Sequence, residues 1–225
     1  MTDVLLASTS PSRLSLLTAA GLAPLVSAPG VDEDAVVEHE RPETVAAQAL
    51  LLAHAKGEAV VARLLSGAEE VPGDRDDLLL LASDSLLELD GQAVGKPHTP
   101  EAARRVWQRM GGRSAVLHTG HFAARLRRTG PDGWREDGRR AELASTTIRT
   151  AAPSRRELED YIATGEPLEV AGALTIDGLG AAFVEGIDGD HTNVIGLSIP
   201  LVRRLAADLG IAWTGLWRGD TPEAR

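Results

Sequence analysis

Cysteine is absent from the 225 residues. That excludes a disulfide framework, a thiolate metal site and a cysteine nucleophile. Aromatic residues make up only 3%, too few for the stacking platforms that hold single-stranded nucleic acids. No apolar run approaches the ~20 residues of a membrane-crossing helix. The opening MTDVLLASTSPSRL has neither the basic start nor the long apolar stretch of a secretory signal. The expectation is a soluble, cytoplasmic protein with no membrane partner. Basic side chains are outnumbered, 23 against 33 acidic ones, for a formal net charge of −10. A nucleic-acid polymer needs a broad basic face, so none is expected as a partner. A small anion is still compatible with this balance, where cations or a metal are concentrated locally. Lysine is nearly missing too. It occurs only at Lys56 and Lys96, and every other basic residue is arginine. A compact ammonium suits a phosphate in a confined site, which singles these two out; survival by chance is the plain alternative.

Hydrophobic residues make up 43% of the chain, enough for a substantial core. The length fits one domain over 1–225. The most informative stretch is Leu78 to Thr99, LLLLASDSLLELDGQAVGKPHT. Leu78 to Ala82 read as a strand buried on both faces. Asp84 stands at its end, between Ser83 and Ser85. Leu86 to Leu89 and Ala93-Val94 bracket Asp90-Gly91, a dipeptide suited to a two-residue hairpin turn. The hairpin then returns Lys96 towards the acid. An acid and a lysine at one strand edge suit a site for metal and phosphate. A capped strand end with an ordinary surface lysine is the alternative.

Upstream, Val4 to Ala7 form a short strand, followed by Ser8-Thr9-Ser10-Pro11 and a helix marked by Leu14 and Leu17. Ser10 is a good N-cap and Pro11 a good first helical residue. Free N–H groups and the helix dipole make such a turn attractive to phosphate, and Arg13 lies in its first turn. Leu25 to Ala28 read as a second strand. An acidic loop follows, Asp32-Glu33-Asp34, either merely solvated or a source of ligands for a hard cation. Pro42 to Leu65 read as one long helix, with Lys56 one turn beyond Val45, Ala49 and Leu52 on its apolar face.

Further on, Gly67 to Asp77 read as a surface loop, and a helix starts at Thr99-Pro100-Glu101. Ser114 to Leu126 form a strand, Thr129 to Arg140 a turn-rich hairpin tip and Leu143 to Ala151 the returning strand. His118 and His121 fall on opposite strand faces, which argues against a shared metal. Ser154 to Glu157 form a capping box. The glycine-rich segment from Gly165 to Leu197 reads as short strands around tight turns. Its Gly178-Leu179-Gly180 lacks the third glycine of a dinucleotide fingerprint. Ser198 to Leu209 form a last amphipathic helix.

Five stretches in this order carry a family resemblance: LLASTSPSRLSLLTAAGL, SDSLLELDGQAVGKP, GRSAVLHTGH, YIATGEPLEVAGALTIDGLGAAFVEGIDGD and NVIGLSIP. Together they resemble the Maf family of nucleoside triphosphate pyrophosphatases, from about Leu5 to Leu209. The resemblance implies an α/β fold related to the inosine triphosphatases: a mixed twisted sheet with flanking helices, two lobes around a cleft, and often a homodimer. It also implies roles. Asp84 would be the catalytic carboxylate. Ser8, Ser10, Arg13, Lys56 and Lys96 would bind the substrate. Glu33 and Asp84 would hold a divalent cation, Mg²⁺ or Mn²⁺. Ser12, Ser85 and Asp177 differ from the family's pyrimidine-triphosphatase pattern, which has Arg, Thr and Gln there, so base preference is expected to differ.

The reaction implied is hydrolysis of a nucleoside triphosphate to the monophosphate and pyrophosphate. A lone aspartate is a weak base; it serves by orienting water on a divalent cation. Two rivals remain at this stage. A nucleotide-binding regulator of cell division with little turnover would not need a positioned acid. A nucleotidyltransferase would need a second substrate site, for which no motif is present.

Overall fold

The computed structural model describes residues 2–130 and 133–218. Its centre is a long mixed sheet in the order β2 (Leu25–Val26), β1 (Asp3–Leu6), β3 (Asp77–Leu89), β5 (Ser114–Arg128), β6 (Trp134–Thr150), β7 (Val184–Asp188). A three-residue strand, β4 (Gln92–Val94), pairs with the far end of β3. β1 runs parallel to both β2 and β3; all other pairs are antiparallel. Helices flank this sheet on both faces, and the mixed α/β class is the one expected.

The period-2 alternation of β3 distributes its side chains. Leu79 and Leu81 enter a core that includes Leu17 of α1 (Pro11–Ala19) and Leu201, Val202 and Leu205 of α7 (Ile199–Asp208). Leu78, Leu80 and Ala82 enter the opposite core, with Val60, Val61 and Leu64 of α3 (Val45–Leu65). Each fully buried leucine contributes on the order of 2 kcal/mol by leaving water, and two packed faces explain the unbroken leucine run. A third core gathers at the other end of the strand. It joins Leu87, Leu89 and Val94 with Trp107 of α4 (Pro100–Met110) and Tyr161 and Ile162 of α5 (Arg155–Ala163). Two packed ends thus share one sheet.

Between those ends β3 has an open edge. β1 covers it as far as Leu81, and β4 covers it again from Leu87. Asp84 lies in the gap, in the middle of a 13-residue strand rather than at a strand end as the sequence led us to expect. The strand continues because β5 pairs with it without a break, Asp84 facing Gly120. The hairpin is as expected: Asp90 and Gly91 take φ of 55° and 74°, the two left-handed residues of a type I′ turn.

Other expectations need correction. Asp32-Glu33-Asp34 is not a loop. Asp32 accepts from the Ala35 N–H and caps α2 (Glu33–Glu40), so the acids sit at a helix N-terminus, where the dipole favours them. The long helix begins at Val45 because the Thr44 hydroxyl caps it. Residues 134–140, read as hairpin tip, belong to β6, which pairs with β5 down to Arg128–Trp134; Pro131 and Asp132 of the tip lie outside the described residues. The second strand is only Leu25–Val26. The glycine-rich segment forms short 3₁₀ turns at Glu166–Glu169, Ala171–Ala173 and Leu179–Phe183, a single strand, β7, and a short helix over His191–Ile195. Glycine spacing marks turns but does not say which hydrogen bonds they close. α3 is long and apolar enough to cross a membrane by length and composition, yet it buries nine residues against the sheet and helices.

Candidate active site

Asp84 shares the β3 face of Leu78, Leu80 and Ala82, and therefore points at α3. There the Lys56 Nζ donates to Asp84 Oδ1 at 2.5 Å. The same ammonium lies 2.8 Å from Glu33 Oε1 on α2. Lys56 and Asp84 are buried, while Glu33 is about half exposed. Three elements distant in sequence thus converge on one cation and two carboxylates. The convergence depends on how closely α3 approaches the sheet. A methyl group at Gly120, opposite Asp84, would overlap the Ala49 carbonyl and stand 2.5 Å from Leu50 Cα. Only a residue without Cβ lets α3 settle there.

Ser83 and Ser85 point to the other face, where α1 lies. Arg13 reaches over from α1 and is held by three acceptors. Its Nε donates to the Gly196 carbonyl at 2.9 Å, Nη1 to Ser8 Oγ at 3.3 Å and Nη2 to Ser85 Oγ at 3.2 Å. Ser8 Oγ also accepts from the Ser10 N–H at 3.2 Å. Burial pulls the Arg13 guanidinium below its ordinary value, and the carboxylates of Asp84 and Glu33 pull it back up. An arginine stays charged under such opposing pulls. The Ser10 side chain, although at the N-cap, makes no cap bond. The first N–H groups of a helix have no partner within it, so this turn keeps donors available for an anion.

The structure therefore brings together Ser8, Ser10, Arg13, Glu33, Lys56, Asp84 and Ser85. It does not bring in the rest of the expected set. Lys96 is exposed and makes no hydrogen bond or ion pair among the described residues. It lies two residues beyond Val94, the last residue of β4 paired with β3, where the Gly95 carbonyl already accepts from the Gly172 N–H. Ser12 is half-buried on α1 and Asp177 exposed in a bend, neither with a polar side-chain partner among the described residues. The two histidines have separate partners. His118 meets Glu88 and Ser145, while His121 is buried beside Thr119 and Ser198. Among the described residues no group of three or more His, Asp or Glu side chains is placed to hold a metal.

Sequence reasoning missed Gly120, Thr119, His121 and Gly196 as parts of the site's frame. A lone glycine inside a strand was the available sign for Gly120. Nothing local marked the others.

A family model for Maf-like proteins matches residues 3–209. The chain belongs to the Maf family. Its relatives are similar over nearly their whole length. A protein of Nocardia farcinica is 46% identical over 220 residues, covering 97% of this chain and 98% of the relative. One of Streptomyces coelicolor is 48% identical over 216 residues, covering 95% and 94%. Both are named nucleoside triphosphate pyrophosphatase. Among solved structures, the Ham1 protein of Staphylococcus aureus is similar at 12% identity with a TM-score of 0.41, over 96% of this chain and 93% of that one.

Proposed function

We propose that this Maf-family chain is a nucleoside triphosphate pyrophosphatase, acting as a single domain in the cytoplasm on NTP + H₂O → NMP + pyrophosphate. The observation that carries this reading is Lys56 clamped between Glu33 and Asp84 beside the partly satisfied guanidinium of Arg13. Asp84 Oδ2, the oxygen not bound by Lys56, accepts a proton of the attacking water and directs its lone pair at the α-phosphorus. Arg13, the Ser8–Ser10 turn and Lys96 take the phosphate oxygens and the pyrophosphate that leaves. Lys56 offsets the two carboxylates, which would otherwise repel a triphosphate.

The donor set also fits a divalent cation. Mg²⁺ is commonly held by one or two carboxylates plus substrate phosphates, and Lys56 engages only one oxygen each of Glu33 and Asp84. Bound there, the ion would offset phosphate charge and make a bound water more acidic. The deciding experiment is incubation with several NTPs and Mg²⁺, with identification of the products. Monophosphate and pyrophosphate are expected, with activity lost in excess chelator and restored by Mg²⁺ or Mn²⁺. Diphosphate and orthophosphate would refute the reaction; full activity in chelator would refute the role of Glu33 and Asp84 as ligands. Tight nucleotide binding without turnover would favour the regulator instead.

For the base, Asp177 is the residue we assign, with Ser12 in support. Ser85 is engaged by Arg13 and Thr119, so it belongs with the phosphate contacts. A carboxylate only accepts hydrogen bonds, whereas an amide both donates and accepts. Uracil and thymine present one N–H between two carbonyls, while guanine offers adjacent N1–H and N2–H donors. UTP and dTTP are therefore expected to trail guanine nucleotides by roughly tenfold, the size of one mispaired hydrogen bond. The check is kcat/KM across the NTPs and dNTPs for wild type and Asp177→Gln. An unchanged ranking after the substitution would remove Asp177 from base reading.

A further inference from the structure

The Arg13 guanidinium carries five N–H donors. Three are spent on Gly196, Ser8 and Ser85, which leaves one on each terminal nitrogen for an incoming phosphate. What those two can reach depends on the three acceptors. The Gly196 carbonyl is the one that fixes Nε and hence the plane of the fork. It also accepts from Ser83 Oγ at 3.2 Å. It sits in a tight turn between α6 (His191–Ile195) and α7, where Gly196 has φ of 128°. Two residues on, the Ser198 N–H donates to His121 Nε2 at 2.8 Å. Ser198 is at the α7 N-cap, so this bond holds the end of the turn to β5.

For His121 Nε2 to accept, the proton must be on Nδ1, which lies 3.0 Å from the Thr119 carbonyl and donates to it. The ring is thus neutral, and burial keeps it so by holding its pKa down at about 4. The strand places the ring for this task. Thr119 and His121 share one face of β5; Thr119 Oγ1 meets Ser85 Oγ at 3.0 Å, and Ser85 is the acceptor for Arg13 Nη2. Two adjacent positions on one strand face therefore support two of the three acceptors of Arg13.

We propose that His121 is a positioning residue: through Ser198 it holds the Gly196 turn, and through the Gly196 carbonyl it orients Arg13 towards the triphosphate. This rests on the reading of Arg13 as a phosphate ligand, and the test separates the two. His121→Asn keeps a donor for the Thr119 carbonyl but is too short to accept from Ser198. His121→Gln places an oxygen near the lost Nε2. Binding of inorganic tripolyphosphate with Mg²⁺ is measured by calorimetry for the full chain, its His121 variants, Arg13→Ala and the double variant. KM and kcat for the best NTP are measured alongside.

His121→Asn is expected to weaken tripolyphosphate binding and raise KM roughly tenfold, the effect of one misplaced charged hydrogen bond, with kcat changed less. His121→Gln restores both to within about twofold. In the Arg13→Ala background, His121→Asn has no further effect, because the residue through which it acts is gone. Equal losses in both backgrounds would show a merely structural role and overturn the proposal, as would normal binding by His121→Asn. If Arg13→Ala itself binds normally, the phosphate role of Arg13 fails and this proposal with it. If His121→Asn does not fold, His121→Gln decides: near-normal binding supports the proposal, and a loss matching Arg13→Ala overturns it.

Discussion

Asp84→Asn is expected to lower kcat by at least ~100-fold, the usual cost of losing a positioned acid–base group. The substitution keeps the shape and removes the charge. Its effect should fall on turnover rather than folding. Lys56 retains Glu33 at 2.8 Å, and the new amide oxygen still accepts from the ammonium, so no buried cation is left unpaired. The β3–β5 pairing around position 84 is made by backbone groups and is indifferent to the change. The measurement is kcat and KM with the preferred NTP, with thermal unfolding to confirm that the variant is folded. Turnover near that of wild type would move the water-activating role to another group.

Gly120→Ala should show the opposite pattern, a change of one methyl group that damages both stability and chemistry. The new Cβ meets helix backbone, the Ala49 carbonyl and Leu50 Cα, which cannot rotate aside as a side chain would. Overpacking of this kind costs about 3 kcal/mol. For a chain of this size that is a fall in Tm of roughly 6–12 °C. α3 must shift away from β5, and Lys56 moves with it. A misplacement of about 1 Å at the reacting centre is worth on the order of 100-fold, so kcat/KM should fall by about that much even at temperatures where the variant is folded. Thermal unfolding and steady-state kinetics test both halves. An unchanged Tm would mean that the helix–strand contact tolerates a side chain; a lower Tm with normal kcat/KM would detach helix position from catalysis.

Much of the architecture could be read from local pattern. The leucine run before Asp84, the Asp90-Gly91 turn, the apolar face of α3 and the Ser154 capping box each satisfy a rule spanning a few residues, and each formed as expected. The acidic run at Asp32 was misread because a solvated loop and a helix N-terminus call for the same residues. The glycine-rich segment was misread because glycine permits several turn types equally well.

What the sequence by itself determined was the inventory and its chemistry. It marked a strand carrying Asp84, a helix opening near Arg13, a lysine at position 56 on a buried face, and an acidic chain without cysteine. Spacing along one element decides which way a side chain points, and local residues suffice for that. The tertiary structure alone decided who meets whom. Lys56 stands between Glu33 and Asp84, Arg13 is held by a carbonyl 183 residues away, and Gly120 lets α3 close onto the sheet. These contacts arise where a long-range strand pairing sets two faces back to back, and no pattern within a single element encodes the distance between them.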